Sequence, residues 1–125
     1  FTTIEIASLV KYTINSFLAT KVIFFNELKK LFDERSFSDD QFNEFVKILS
    51  LDSRIGSSHM NVPGHDGRLG FGGACFPKDT QAFIKFFEKN NLEFELLHKA
   101  MQINKNIRSN YEDIMEREKD QNISF

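Results

Sequence analysis

Residues 3–33 carry apolar side chains on two stripes at helical spacing, and no other feature narrows the fold as much. Ala7, Val10, Ile14, Phe17, Phe24, Leu28 and Leu31 recur every three or four residues, the period of one helix face. Leu18, Val22, Phe25 and Phe32 form a second stripe. A superficial helix needs one apolar face, so two stripes predict a long central helix. So wide a face also suits a subunit interface. Lys21 falls within the first stripe. A lysine there reads as one whose stem lies along the edge of the core while its ammonium stays in water.

The remaining periodic segments are also helical. Ser38 followed by Gln41 is a capping box, with Phe37 and Phe42 spaced as a hydrophobic staple. Asp39 and Asp40 complement the dipole of the helix they open, so capping explains the acidic pair without a metal. Phe42, Phe45, Val46 and Leu49 give a buried face over residues 39–50. A third helix is predicted over 78–89, with Ala82, Phe83, Phe86 and Phe87 inward and Asn90-Asn91 at its end, since Asn tolerates the left-handed C-terminal position. A fourth is predicted over 92–118, striped by Leu96, Leu97, Ala100, Ile103, Ile107, Tyr111 and Ile114 and closed by the solvated charges of 116–120. No segment alternates as a half-buried strand does, and there is no internal repeat. The predicted fold is all-α.

Composition excludes several classes. The net charge of −2 comes from nearly balanced acids and bases, which leaves no nucleic-acid patch and no polybasic membrane segment. No apolar run is long enough to span a bilayer, and no signal peptide precedes the first helix. The single cysteine cannot close an internal disulfide, which fits a reducing, cytoplasmic setting. At 125 residues the chain is one domain's worth, with fifteen phenylalanines to build its core. It begins at Phe1, so a piece of a longer protein is expected.

Residues 51–76 carry little periodicity and all six glycines. Long irregular stretches in a compact domain are usually functional. His59, His65 and Cys75 match no zinc spacing and lack a fourth ligand, so no metal is expected. No Gly-Lys-Ser/Thr follows the glycines, which removes a Walker-type phosphate loop. The stretch ends in Gly70-Phe71-Gly72-Gly73-Ala74-Cys75-Phe76-Pro77-Lys78-Asp79. Glycines permit close backbone approach and positive φ, and Pro77 suits a helix's first turn. Cys75 is therefore expected between a glycine-rich loop and a helix N-terminus, where the dipole favours a thiolate nucleophile; taken alone, a single cysteine is more often a small buried hydrophobe. Lys11 and Asn15 lie one turn apart on one face of the first helix. Asp79 lies one turn beyond Cys75. Taken singly, Lys11 is a solvated lysine, Asn15 an ordinary polar position and Asp79 a favourable charge at a helix start.

The decapeptide from Gly70 to Asp79 resembles the active-site segment of the UDP-glucose dehydrogenase family, which reads roughly G-F-G-G-x-C-F-P-K-D. The stretch from Ile4 to Lys21 is similar to that family's long central helix, and Asp52-Ser53-Arg54-Ile55-Gly56 to a third family segment. The resemblance implies the helical central, dimerisation domain of a nucleotide-sugar dehydrogenase. It implies a homodimer acting with NAD on a UDP-sugar, UDP-glucose becoming UDP-glucuronate in two oxidations through a cysteine thiohemiacetal and thioester. It makes Cys75 the nucleophile, Lys11 and Asn15 the oxyanion and proton-handling pair, and Asp79 the partner that activates water. Arg54, Phe71, Gly72 and Lys11 would bind substrate, Arg54 from the neighbouring subunit, and Lys78 would bind cofactor. The NAD-binding Rossmann domain and the C-terminal nucleotide-binding domain are expected to be missing from residues 1–125, which alone should not reduce NAD. GDP-mannose and UDP-N-acetylmannosamine are the alternative substrates. A purely structural dimerisation module, with these residues idle, is the reading from another class. The segment 57–69 is longer than in some relatives.

Overall fold

The computed structural model describes residues 3–111. Among the described residues there are four helices and no strand: α1 (Ile4–Glu34), α2 (Asp39–Leu49), α3 (Cys75–Lys89) and α4 (Glu95–Arg108). The all-α expectation holds.

Local chemistry fixes most boundaries. Thr3 opens α1, its hydroxyl accepting from the Ile6 amide at 3.2 Å. Ser36 ends it in the left-handed region, φ 57°. The Ser36 and Phe37 amides then donate to the Asp33 and Phe32 carbonyls, and the Phe37 ring covers Phe32 with centroids 5.4 Å apart. Ser38 and Gln41 close the predicted capping box of α2 with hydrogen bonds of 2.7 and 3.1 Å. Phe37 and Phe42, predicted as a staple, both rest on Phe32. Asn91, at φ 58°, closes α3 with the same carbonyl-capping pattern as Ser36.

Three expectations are corrected. The third helix starts at Cys75 rather than 78, so Pro77 is its third residue, where an N–H is still not needed. The fourth starts at Glu95 because the left-handed Asn91 turns the chain first, and it ends at Arg108, where Ser109 caps it, rather than at 118. Ser and Asn favour caps over helix interiors, and Ser109-Asn110 follow Arg108 directly. Ile114 and the charged run lie outside the described residues. Leu96, expected inward, is 68% exposed.

The two stripes of α1 have opposite fates except at Leu28, which packs inward with the second. Phe25 is buried, with Leu18, Val22 and Phe32 partly so. Val10, Ile14, Phe17, Phe24 and Leu31 of the other stripe point to solvent, Phe17 at 69% exposure. The inward face meets two clusters. Toward its C-terminus, Phe25, Leu28 and Phe32 pack with Phe42, Phe45 and Val46 of α2 and with Met60 and Val62 of the following loop. Nearer the middle, Ala19 and Ile23 pack with Phe71 and with Ala100 of α4. Lys21 sits at the edge as anticipated, its ammonium donating to the Ile55 carbonyl at 2.7 Å, and burial lowers its pKa.

Candidate active site

Asp79 is the centre of the polar contacts between α1 and α3. It is 1% exposed, and a carboxylate so placed needs partners. Asn15 Nδ2 donates to Asp79 Oδ2 at 2.6 Å. The Lys11 ammonium lies 4.0 Å from the same oxygen, and the Lys78 ammonium 3.7 Å from Oδ1. The two lysine side chains are about half exposed, so their charges reach both the buried acid and the solvent. The fold thus joins Lys11, Asn15, Lys78 and Asp79. Cys75 is the first residue of α3, a free and exposed thiol one turn before Asp79. Its N-cap, Ala74, has no side chain able to cap.

The chain reaches Cys75 through a loop whose backbone is held by side chains. The Leu69 amide donates to Tyr111 Oη at 2.8 Å, the Gly70 amide to Asn26 Oδ1 at 2.9 Å and the Phe71 amide to Asn104 Oδ1 at 2.7 Å. Asn104 Nδ2 returns a bond to the Phe71 carbonyl at 3.0 Å, and Arg108 Nη2 donates to the Gly70 carbonyl at 3.3 Å. Arg108 also pairs with Asp66 at 2.9 Å, tying the 64–68 turn to α4. Gly70 and Gly73 occupy positive φ, 75° and 83°, which side chains rarely adopt. The loop borders a cavity of about 370 Å³ lined by Val22, His59, His65, Asp66, Phe71, Gly72 and Gly73 among others. His59 stacks near Phe76 at 5.5 Å, and its pKa is held below the ordinary 6.5 by burial first, then by the Lys21 and His65 charges.

Other predicted site residues fall differently. Phe71 and Gly72 line that cavity, but the Phe71 side chain itself is 5% exposed and packed in the core. Arg54 is not joined to the Asp79 group. Its guanidinium is exposed and bidentate to Asp52, at 3.0 and 2.7 Å, beside Phe17, Lys21 and Phe24 on the outward face of α1. The sequence reading missed Asn26, Asn104, Arg108 and Tyr111 as loop anchors. A signal was there: Asn104 and Arg108 continue the inward series Leu97, Ala100, where apolar residues are the rule.

An exposed thiol at the first residue of α3 thus stands one turn before a buried acid that Asn15 holds. A profile described as UDP-glucose/GDP-mannose dehydrogenase family, central domain, matches residues 5–106. The chain belongs to this family. It is 36% identical over 107 residues to the UDP-glucose 6-dehydrogenase of Rickettsia felis, covering 86% of this chain and 22% of that protein. It is 35% identical over 103 residues to the UDP-glucose 6-dehydrogenase TuaD of Bacillus subtilis, covering 82% and 21%. It is 38% identical over 103 residues to the UDP-glucose 6-dehydrogenase AglM of Haloferax volcanii, covering 82% and 22%. The chain therefore spans about a fifth of the length of the curated relatives it matches.

Proposed function

We propose that this chain is the central domain of a UDP-glucose 6-dehydrogenase, in which Cys75 carries the substrate's C6 carbon between two oxidations. The observation that supports this most is the exposed Cys75 thiol one helical turn before a buried Asp79 bonded to Asn15. The relatives' names favour UDP-glucose over GDP-mannose or UDP-N-acetylmannosamine.

Each side chain then has a task. The C6 alcohol first gives up a proton to solvent water and a hydride to become an aldehyde. The Cys75 thiolate adds to its carbon, and the new alkoxide is stabilised by the Lys11 ammonium and the Asn15 amide. Loss of a second hydride from C6 leaves a thioester on Cys75. Asp79, held by Asn15, takes a proton from the attacking water; the C–S bond breaks, releasing the carboxylate and returning the thiolate. When bound, NAD accepts the hydride of each oxidation. Among the described residues no strand offers a βαβ cradle for it; what they offer a dinucleotide is the half-exposed Lys78 ammonium at the start of α3. Phe71 and Gly72 present loop backbone to the sugar nucleotide.

Arg54 fits the role of a residue lent to a second subunit, since it shares the outward face of α1 with Phe17 and Phe24. Five apolar residues of that stripe are at least 50% exposed, Val10 to Leu31. Soluble monomers rarely expose such stripes, and a two-fold pairing of the stripe with itself would cover it. The reading is of a homodimer in a reducing, cytoplasmic setting, in keeping with a single free cysteine.

The test is Cys75→Ser in the full-length protein. Binding of UDP-glucose should persist while net oxidation to UDP-glucuronate is lost, because a serine alkoxide is harder to form and its ester is less readily hydrolysed. Turnover at the wild-type rate contradicts the proposal.

A further inference from the structure

We propose that Asn104 is a positioning residue for this reaction: through Phe71 it sets the peptide planes of the loop that delivers Cys75. The inference rests on the dehydrogenase reading above. Asn104 bonds both backbone groups of one residue, accepting from the Phe71 amide at 2.7 Å and donating to its carbonyl at 3.0 Å, as a neighbouring strand would. It is 1% exposed, so losing either bond leaves a buried backbone group unsatisfied.

Two neighbouring features show that the loop is built around this side chain. A Cβ at Gly70 would collide with Asn104 Oδ1, so the glycine is needed for Asn104 to reach Phe71 as well as for its φ of 75°. Asn26 of α1 takes the adjacent Gly70 amide at 2.9 Å, so amides on both sides of the Gly70–Phe71 peptide are fixed from opposite helices. Beyond Phe71 come Gly72 and Gly73, which line the cavity. Cys75 follows two residues later. Asn104 acts on the loop through its two bonds to Phe71.

The experiment compares Asn104→Asp, Asn104→Ser and Leu97→Ala in the full-length protein. Asn104→Asp keeps the acceptor for the Phe71 amide and turns the donor into an oxygen facing the Phe71 carbonyl. Leu97 lies on the same helix, is also 1% exposed and has no hydrogen-bonding side chain, so its truncation destabilises without removing a hydrogen bond to the loop. For both Asn104 variants kcat/KM for UDP-glucose should fall about 100-fold, the loss that accompanies misplacement of about 1 Å. KM should rise, and the rate of Cys75 alkylation by iodoacetamide in the folded protein should change at least about threefold. Leu97→Ala should lower Tm while leaving KM and alkylation within about twofold of wild type. If the aspartate variant does not fold, the smaller, uncharged Asn104→Ser decides. Wild-type kcat/KM and alkylation in a folded Asn104 variant, or the same losses in Leu97→Ala, would overturn the inference. A wild-type protein that does not oxidise UDP-glucose would instead sink the dehydrogenase reading, and the alkylation comparison would still judge Asn104.

Discussion

The two halves of the inward face of α1 are built from different chemistry. Where it meets α2 the contacts are rings: Phe32 sits 4.8 Å from Phe45 and 5.1 Å from Phe42, with Met60 and Val62 closing the cluster. Where it meets the loop, α3 and α4, polar groups are buried among the apolar ones: Ser16, Asn26, Asp79, Thr80, Asn104 and Arg108. Apolar contacts are non-directional and tolerate sliding, whereas a buried hydrogen bond fixes distance and angle. The second arrangement is also the costlier, and Ser16 Oγ, Arg108 Nε and Arg108 Nη1 are buried without a hydrogen-bond partner among the described residues. The ring cluster therefore carries stability, and the polar half fixes the geometry around Asp79 and the loop before Cys75.

Substitutions can break that division. Phe42 is fully buried, so Phe42→Ala should cost about 3–5 kcal/mol in denaturant unfolding, with Cys75 alkylation unchanged in the folded fraction. A loss under about 1 kcal/mol would deny the ring cluster its role. Phe17, 69% exposed on the opposite face, makes the contrast: Phe17→Glu should move the stability of the subunit by no more than about 0.5 kcal/mol yet dissociate the homodimer in sedimentation. A wild-type protein monomeric at every concentration would refute the dimer. The smallest effect concerns His59. Its folded pKa lies below 6.5, so the unfolded chain binds the proton more readily, and stability should fall as pH drops below about 6.5. His59→Asn, which suits the positive φ of 63°, should flatten that slope; an unchanged slope would assign it to other groups.

What the sequence makes legible is what local chemistry decides. The capping box at Ser38 and Gln41 and the left-handed stop after α3 depend on residues a few positions apart, and both are found. The direction of α1's stripes is not legible, because Phe17 and Phe25 are equally apolar and only tertiary partners decide which is covered. The site divides in the same way. Cys75 and Asp79 are readable from their motif and their one-turn spacing. The bond from Asn15 to Asp79 spans 64 residues and that from Asn104 to Phe71 spans 33, and no local period announces either.

The most direct test of the central claim is mass spectrometry of Cys75 during turnover. In the full-length protein Asp79→Asn keeps the shape that Asn15 holds but removes the carboxylate proposed to take the proton of the attacking water. Quenched after mixing with UDP-glucose and NAD, this variant should carry the UDP-glucuronyl group as a thioester on the peptide containing Cys75. An unmodified Cys75 in a variant that still forms NADH and accumulates oxidised sugar would contradict the account.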